Sequence, residues 1–349
     1  RGHSGSPLAS STANSSLAVF DIGGTAARLP ILLEQWAPDG GKKAVEGLDR
    51  CGGLLAVVGI TDGTLYAMNA TCVACGPISS LKLSTDRALH VRLVFIADDD
   101  APVPYGGCGG GAFGRVFALV TSGFAWHLSI HGLFADALMA IDVSDPAGGM
   151  REVAKLDGLP KQPEGIFVHG HYAYVGGCAG SALAVINLSR LSGPAPRLVL
   201  AKTLTDPTFV QMVSTQRTYD DPSTKLFFAL WGDEGGMLTA QAESDGNPRV
   251  LAKLASTELA KANRAVVHEG LGLVVLPLEQ TPAKLALVDV RNASAPRLAA
   301  GGLLTLPEAN STQPVQATTY CAALDATGNY LYAFSAQTAT MYVYHIHEN

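Results

Sequence analysis

The sequence predicts an all-β fold, a single β-propeller of six or seven four-stranded blades. One observation is a repeated phrase of an apolar strand, an acid or amide, an apolar residue and a polar loop, found at 138–146, 183–189 and 285–290, with a degenerate copy at 17–22. The first two copies begin at Leu138 and Leu183, 45 residues apart, which is the length of one propeller blade. Almost no segment has a helical period of 3.6 residues; a turn or two around 256–263 is the exception.

A hairpin of two apolar strands recurs six times, beginning near residues 53, 115, 165, 208, 264 and 316. A glycine lies in five of these turns, at Gly63, Gly123, Gly170, Gly270 and Gly328. Glycine supplies the positive φ that a tight turn needs. In the hairpin near residue 208, a longer loop at 216–224 replaces the turn glycine. Six units with an N-terminal fragment fit a six-bladed propeller, and a seventh blade built from both termini fits nearly as well.

The phrase at 137–146, Ala-Leu-Met-Ala-Ile-Asp-Val-Ser-Asp-Pro, and its copies resemble the LVIVD repeat, a β-propeller repeat of surface and secreted proteins. The match extends over 137–157, 182–204 and 284–304. This resemblance implies a propeller and an extracytoplasmic setting. It carries over no catalytic residues, because the repeat is a packing motif.

The two ends of the chain are expected to close the propeller. Residues 1–16 form a polar tail, and 17–349 form the propeller. Three strands are predicted at the C-terminal end, so one N-terminal strand would complete that blade, whereas 17–36 offers two. The strand carrying Leu17, Val19, Phe20 and Ile22 therefore either closes its own propeller or pairs with the sheet edge of another subunit. A head-to-tail exchange of this kind gives a filament.

Composition excludes several classes of partner. The 349 residues are 48% hydrophobic and 15% charged, which favours a large core over disorder. A net charge of −6 without a basic run argues against nucleic acid and anionic membranes. No apolar stretch of about 18 residues is present, so no membrane span is predicted. The first residue is Arg1 rather than methionine, which suggests that a leader was removed.

Glycosylation sequons are the second strong signal. Five of the nine asparagines lie in Asn-x-Ser/Thr without an intervening proline: Asn14, Asn69, Asn187, Asn292 and Asn310. Chance would give about one, so the excess indicates N-glycosylation in a secretory pathway. Asn187 and Asn292 fall in the loop that follows the third strand of their units.

The six cysteines, an even number, suit an oxidising compartment and are disulfide candidates: Cys51, Cys72, Cys75, Cys108, Cys178 and Cys321. Sequence alone does not choose among the pairings. We favour Cys108 with Cys178, in loops of neighbouring blades, and Cys51 with Cys321, which closure would bring together. The Cys72-Val-Ala-Cys75 motif is alternatively a redox or zinc half-site.

No other motif points to catalysis or to a resident metal. His169 and His268 occupy the same turn of two units, where solvated turn residues are commoner than metal ligands. The acidic runs at 98–100 and 220–221 leave calcium as an alternative to solvated loops. The glycine-rich run at 106–111 lacks the Lys-Ser/Thr of a phosphate loop.

Three functions follow from these observations. The first is a secreted N-glycosylated structural or adhesive propeller that self-assembles into an extracellular fibre by N-terminal strand donation. The second is a propeller that binds a glycan or a protein. The third is a metal-dependent hydrolase, for which the sequence offers no catalytic residues, so a non-enzymatic role is favoured.

Overall fold

The computed structural model describes residues 17–21, 31–41, 43–97, 114–123, 136–177, 182–205, 213–215, 225–306, 321–324, 329–335 and 340–346. These residues form 25 β-strands and three short 3₁₀ helices, at Pro38–Gly41, Val73–Cys75 and Thr257–Leu259. The strands make five sheets of four strands, one of three strands and one of two. In each sheet, strands that follow one another in sequence are neighbours in space. This is the organisation of a six-bladed β-propeller, so the all-β propeller prediction is confirmed, with six blades.

By its contacts, the chain divides into two compact units, Arg1–Ala173 with Ile186–Leu200, and Tyr174–Val185 with Ala201–Asn349. The third sheet contributes residues to both units. The first and second sheets belong to the first unit. The first consists of β3 (Val45–Cys51), β4 (Leu54–Gly59), β5 (Thr64–Asn69) and β6 (Pro77–Lys82). The second consists of β7 (Val91–Ala97), β8 (Gly114–Ser122), β9 (Ala137–Asp142) and β10 (Arg151–Asp157).

The remaining blades follow the same order. The third consists of β11 (Pro163–His169), β12 (Tyr172–Gly177), β13 (Ala182–Asn187) and β14 (Val199–Thr205). The fourth consists of β15 (Val213–Thr215), β16 (Lys225–Leu230), β17 (Gly235–Ala242) and β18 (Pro248–Ser256). The fifth consists of β19 (Val266–His268), β20 (Leu273–Leu278), β21 (Lys284–Asp289) and β22 (Arg297–Thr305). The sixth consists of β23 (Cys321–Leu324), β24 (Tyr330–Ser335) and β25 (Thr340–His345).

The N-terminal strands pair with each other. Strand β1 (Leu17–Asp21) and strand β2 (Ile31–Trp36) form the two-stranded antiparallel sheet, with Leu17 opposite Trp36 and Phe20 opposite Leu32. Among the described strands, β25 pairs only with β24. Closure of the sixth blade by an N-terminal strand therefore stays a prediction.

The predicted hairpins differ in their place within the blades. The hairpin near residue 53 joins the second and third strands of its sheet, whereas those near 165, 208, 264 and 316 join the first and second. Near residue 115, strand β8 pairs with β9 at Ala137–Asp142, and the residues just after Gly123 lie outside the described part of the chain. Gly63 and Gly170 have the expected positive φ, 57° and 54°, whereas Gly123 does not. In the fifth blade the turn glycine with positive φ is Gly272, at 58°, rather than Gly270. Gly328 lies outside the described residues.

The middle strands supply the core. Strands β4, β16 and β20 are buried at every position after their first residue, and β9 and β13 at every position before their last. Both faces of these strands are therefore covered by neighbouring sheets, which accounts for near-continuous apolar runs in place of alternation. Most positions of the fourth strands β14 and β18 are exposed or half-buried.

Polar contacts join neighbouring blades within each unit. In the first unit, the Asp49 carboxylate on β3 accepts a hydrogen bond of 2.8 Å from the backbone N–H of Leu93 on β7. The Arg92 guanidinium lies 3.5 Å from the same carboxylate. In the second unit, the buried Tyr174 hydroxyl donates to the carbonyl oxygen of Gly246 at 2.9 Å. Blade packing thus rests on a few directed bonds as well as on apolar contact.

Replacement of Gly63 by alanine is expected to destabilise the first unit. A Cβ atom at Gly63 would collide with the carbonyl oxygen of Thr85, and a φ of 57° is unfavourable for alanine. Together, strain and collision should lower the free energy of unfolding by about 2–4 kcal/mol. Gly53→Ala is the matched control, because a Cβ there meets nothing within 4 Å. Urea denaturation of both variants tests this, and equal stabilities would contradict it.

Candidate functional site

In the three full copies of the repeated phrase, the acid or amide ends the third strand of its blade: Asp142, Asn187 and Asp289 are the last residues of β9, β13 and β21. Asn69, which lies outside the predicted copies, ends β5 in the first blade in the same way. In each case the side-chain Oδ1 atom accepts a hydrogen bond from the backbone N–H two residues later, over 3.1 Å, 2.8 Å, 3.1 Å and 2.9 Å respectively. This is an Asx turn, which short acid and amide side chains form readily.

The apolar residue that follows has a matching role. Its backbone N–H donates to a carbonyl oxygen near the start of the second strand of the same blade, over 2.7–2.9 Å. The pairs are Ala70 with Gly53, Val143 with Val116, Leu188 with His171, and Val290 with Gly272. The side chains of Val143, Leu188 and Val290 are buried. The phrase is therefore a structural turn that closes one end of the blade.

Three of the predicted glycosylation sites lie on this connection between the third and fourth strands. Asn69 and Asn187 are themselves Asx-turn residues, and Asn292 lies three residues after Asp289. The Oδ1 atom of Asn292 accepts from the N–H of Ser294 at 3.1 Å. Asn69 and Asn292 are exposed, and Asn187 is half-buried. A glycan would be attached to the Nδ2 atom. Within the described part of the chain, the Nδ2 atoms of these three asparagines form no hydrogen bond. Asn14 and Asn310 lie outside the described residues.

Two of the Asx turns carry a carboxylate held by arginine. Arg115 donates to Asp142 through Nε at 3.2 Å and through Nη2. Burial alone would raise the pKa of Asp142, but the hydrogen bonds from Arg115 and Ser144 outweigh it and lower the pKa.

The second carboxylate is more strongly held. Arg291 donates to Asp289 through Nε at 3.0 Å and Nη2 at 2.6 Å, and Arg297 donates through Nη2 at 3.2 Å. These bonds, led by those from Arg291, hold the pKa of Asp289 well below its usual range.

The N-terminal hairpin packs against the first blade. The rings of Trp36 and Tyr66 meet edge to face, with their centroids 5.1 Å apart. Trp36 also packs against a buried cluster of Leu55, Val57, Tyr66, Met68 and Val73. Strands β1 and β2 both contact the 3₁₀ helix Val73–Cys75. Of the residues predicted for strand exchange, Leu17, Val19 and Phe20 lie on β1, and Ile22 lies outside the described residues.

A charged group lies beside this aromatic pair. The Tyr66 hydroxyl is 3.4 Å from the Asp62 carboxylate, and the Lys43 ammonium is 3.0 Å from it. Burial, and then the charge of Asp62, raise the pKa of Tyr66. Hydrogen bonds to Asp62 and Asp39 hold the pKa of Lys43 well above its usual range. The side chain of Tyr66 is therefore held by Trp36 at its ring and by Asp62 at its hydroxyl.

The cysteines of the Cys72-Val-Ala-Cys75 motif form a disulfide with each other. Cys75 is exposed and Cys72 half-buried. Cys51 is also disulfide-bonded and is 6% exposed. Cys108 and Cys178 lie outside the described residues, and of Cys321 the structure describes only the backbone, on β23. The pairings Cys108–Cys178 and Cys51–Cys321 therefore stay predictions.

The two predicted histidines end the first strands of their blades. His169 is the last residue of β11 and His268 the last of β19. The backbone N–H of Leu271 donates to Nδ1 of His268 at 3.2 Å, and burial lowers the pKa of His169. The described residues contain no group of three or more histidine, cysteine, aspartate or glutamate side chains that could hold a metal ion. The runs at 98–100, 106–111 and 220–221 lie outside them.

Sequence reasoning missed a polar cluster in the fifth blade. The carboxylate of Glu279 accepts from Nε1 of Trp231 at 3.0 Å and from Nδ2 of Asn263, which is 1% exposed. The available signal was an acid placed directly after the apolar strand β20. Asn263 thereby binds the segment before β19 to the end of β20, and Trp231 binds the end of β16 in the fourth blade to the same carboxylate.

None of the helices in the described part of the chain is long and apolar enough to cross a membrane.

Replacement of Asp289 by asparagine is expected to reduce the acid sensitivity of folding. A carboxyl whose folded pKa lies below its usual 3.8 contributes stability above that value, and loses it as the pH falls. The wild-type midpoint of urea denaturation should therefore fall more steeply between about pH 5 and pH 2.5 than that of Asp289→Asn. Asp86→Asn is the control, since Asp86 forms an exposed pair with Lys82. Parallel curves for all three proteins would contradict the expectation.

Comparison with known proteins supports the fold and assigns no family. No protein-family model and no curated protein matches the chain. Among solved structures, the β-propeller domain of Cps50 (Swd1) from Myceliophteria thermophila is 10% identical, with a TM-score of 0.61 over 96% of this chain and 91% of that one.

Two further structures are similar at comparable levels. The periplasmic gluconolactonase PpgL of Pseudomonas aeruginosa is 14% identical, with a TM-score of 0.52 over 84% of this chain and 75% of that one. Hydrazine synthase of Kuenenia stuttgartiensis is 14% identical, with a TM-score of 0.57 over 86% of this chain and 75% of that one. At such identities the likeness establishes the propeller fold alone.

Proposed function

We propose that this chain is a secreted N-glycosylated β-propeller of the LVIVD-repeat type, with a structural or adhesive role outside the cell. The observation that carries the proposal is the placement of Asn69, Asn187 and Asn292. All three lie on the connection between the third and fourth strands of a blade, and each has its Oδ1 atom in an Asx turn.

This placement suits glycan attachment. A glycan needs an asparagine whose Nδ2 atom is not engaged in the core, on a loop that reaches solvent. The third strands are buried along most of their length, so the turn that ends each strand is where such an asparagine is tolerated. Asn69 and Asn292 are exposed there. The Cys72–Cys75 disulfide adds support, because disulfides persist in oxidising compartments.

The proposal includes assembly by strand donation. Among the described residues, the sixth blade has three strands where the other five blades have four, and β25 is its outer strand. The outer edge of a sheet offers unpaired N–H and C=O groups to an incoming strand. The donor that we propose is strand β1 of a second copy, Leu-Ala-Val-Phe-Asp, whose four apolar residues suit a sheet. Repeated donation from copy to copy gives a fibre.

A second candidate function is the binding of another protein. Strand β14 exposes all but one of its seven residues, and Val199 and Leu200 on it are 38% and 41% exposed. Apolar side chains on an outer strand favour pairing with a strand of a partner. A monomeric protein that captures a partner through β14 would support this function over self-assembly.

Glycosylation is tested by a matched pair at the first sequon. Thr71→Ala removes the sequon and the 2.8 Å hydrogen bond from Oγ1 to Asn69, whereas Thr71→Ser keeps both. We expect the alanine variant from a secretory host to lose the mass of one glycan and the serine variant to retain it. Mass spectrometry of glycopeptides before and after amidase treatment measures both. Bare Asn69, Asn187 and Asn292 in the native protein would overturn the proposal.

Assembly is tested by light scattering and electron microscopy with and without residues 1–24. We expect the full chain to form filaments and the shortened chain to remain monomeric. Val343→Lys places a charge on the open strand β25, where Val343 is 40% exposed, and should also abolish filaments. The matched control is Val250→Lys, at a 49% exposed position in the complete fourth sheet, which should leave them unchanged. A monomeric full-length chain at high concentration would contradict strand donation.

A further inference from the structure

The Cys72–Cys75 disulfide lies where the N-terminal hairpin meets the first blade. It spans the 3₁₀ helix Val73–Cys75, and Val73 inside it is 1% exposed. Val73 belongs to the same buried cluster as Tyr66, against which Trp36 of β2 packs. The disulfide therefore holds the turn that gives the hairpin its contact surface.

Beside the disulfide, short-range backbone hydrogen bonds hold this turn. They include Cys72 N–H to the Asn69 carbonyl at 3.1 Å, Cys75 N–H to the Cys72 carbonyl at 3.3 Å and Gly76 N–H to the Val73 carbonyl at 3.0 Å. A 3₁₀ helix of three residues has poor hydrogen-bond geometry and no cooperative length. Loss of the sulfur–sulfur bond would therefore free Val73 to leave the cluster. The hairpin would lose its partner, and an isolated two-stranded hairpin is marginally stable in water.

Cys75 and Cys51, both disulfide-bonded, differ in their exposure to solvent. Cys75 is exposed, so an external thiolate can approach its sulfur, whereas the disulfide-bonded Cys51 is 6% exposed and lies in the core of the first two blades. Exposed disulfides exchange more readily than buried ones. The first unit therefore carries an accessible disulfide at Cys72–Cys75 and a buried disulfide-bonded cysteine at Cys51.

We propose that Cys72–Cys75 is a thiol–disulfide exchange site that reacts with an external dithiol, and that its redox state controls the docking of the β1–β2 hairpin. The first thiolate of the dithiol attacks Sγ of Cys75. The bond to Cys72 breaks, and Cys72 leaves as a thiolate that takes up a proton. The second thiol of the reductant then displaces Cys75, which is also protonated. Two electrons and two protons pass to the protein, and the dithiol becomes a disulfide.

The proposal stands on the contacts of the hairpin and the exposure of Cys75, so it is independent of glycosylation. In the oxidised protein the hairpin is docked. In the reduced protein the hairpin leaves the first blade. A reducing environment should thus release the hairpin without unfolding the blades.

The first measurement is a titration of the native protein with dithiothreitol, followed by alkylation with N-ethylmaleimide and peptide mass spectrometry. We expect Cys72 and Cys75 to be alkylated at about tenfold lower dithiothreitol than Cys51. Alkylation of Cys51 together with them, or before them, would overturn the exchange site.

The second measurement is hydrogen exchange of the protein reduced at Cys72 and Cys75 alone. The amides of β2 should exchange about tenfold faster than in the oxidised protein, while those of the buried strand β9 should be unchanged. The double variant Cys72→Ser/Cys75→Ser should show fast β2 exchange that no longer responds to dithiothreitol. Unchanged protection of β2 after reduction would overturn the coupling to the hairpin.

Discussion

Burial on both faces of the inner strands is the constraint from which most of this structure follows. Strands such as β9 and β20 are covered on each side by neighbouring sheets, so nearly every position along them must be apolar. Charged and amide side chains then favour strand ends, where they can bond to the backbone or to water, and the buried hydroxyl of Thr239 inside β17 bonds to backbone carbonyl oxygens. The Asx residues and Glu279 both lie at such ends.

At those ends, backbone hydrogen bonds close the first, second and fifth blades in the same manner. The segment before the first strand bonds to the end of the second strand: Ala44 accepts from Ile60, Leu89 donates to Thr121, and Asn263 donates to Pro277, over 2.9–3.0 Å. At the opposite end of the blade, the residue after the Asx residue donates its backbone N–H to a carbonyl oxygen near the start of the second strand. This bond joins the end of the third strand to the start of the second strand. The blade therefore has few unsatisfied backbone groups at either end.

Much of this was predictable from the sequence, because its causes are local. The phrase ending in Asp142 encodes an apolar strand and a turn within a few residues, and the strand and turn fall where the phrase indicates. The pairing of β1 with β2 was not predictable, because several apolar segments compete for the same strand and only tertiary packing chooses among them. The positive φ of Gly272 was missed for a related reason, since two glycines in one turn are equivalent in sequence.

The clusters around Glu279 and the hairpin show the same limit. Glu279 bonds to Asn263 and Trp231, which are 16 and 48 residues away in sequence. The Trp36–Tyr66 contact joins the N-terminal hairpin to the third strand of the first blade. Neither pairing has a spacing that a sequence pattern could report, because each depends on how whole sheets pack.

The anchoring of the segment before each first strand also bears on how the chain could have grown. In the second blade, Leu89 and His90 bond to Thr121, whereas Leu83 bonds back to Gly63 of the first blade. Between these two points, over residues 84–88, the backbone passes from hydrogen bonds with the first blade to hydrogen bonds with the second. A gene segment copied from that point would carry a blade together with the hydrogen bonds that close it. Duplication of such a segment adds a finished blade to the propeller, whereas a copy that began at the first strand would leave that end open.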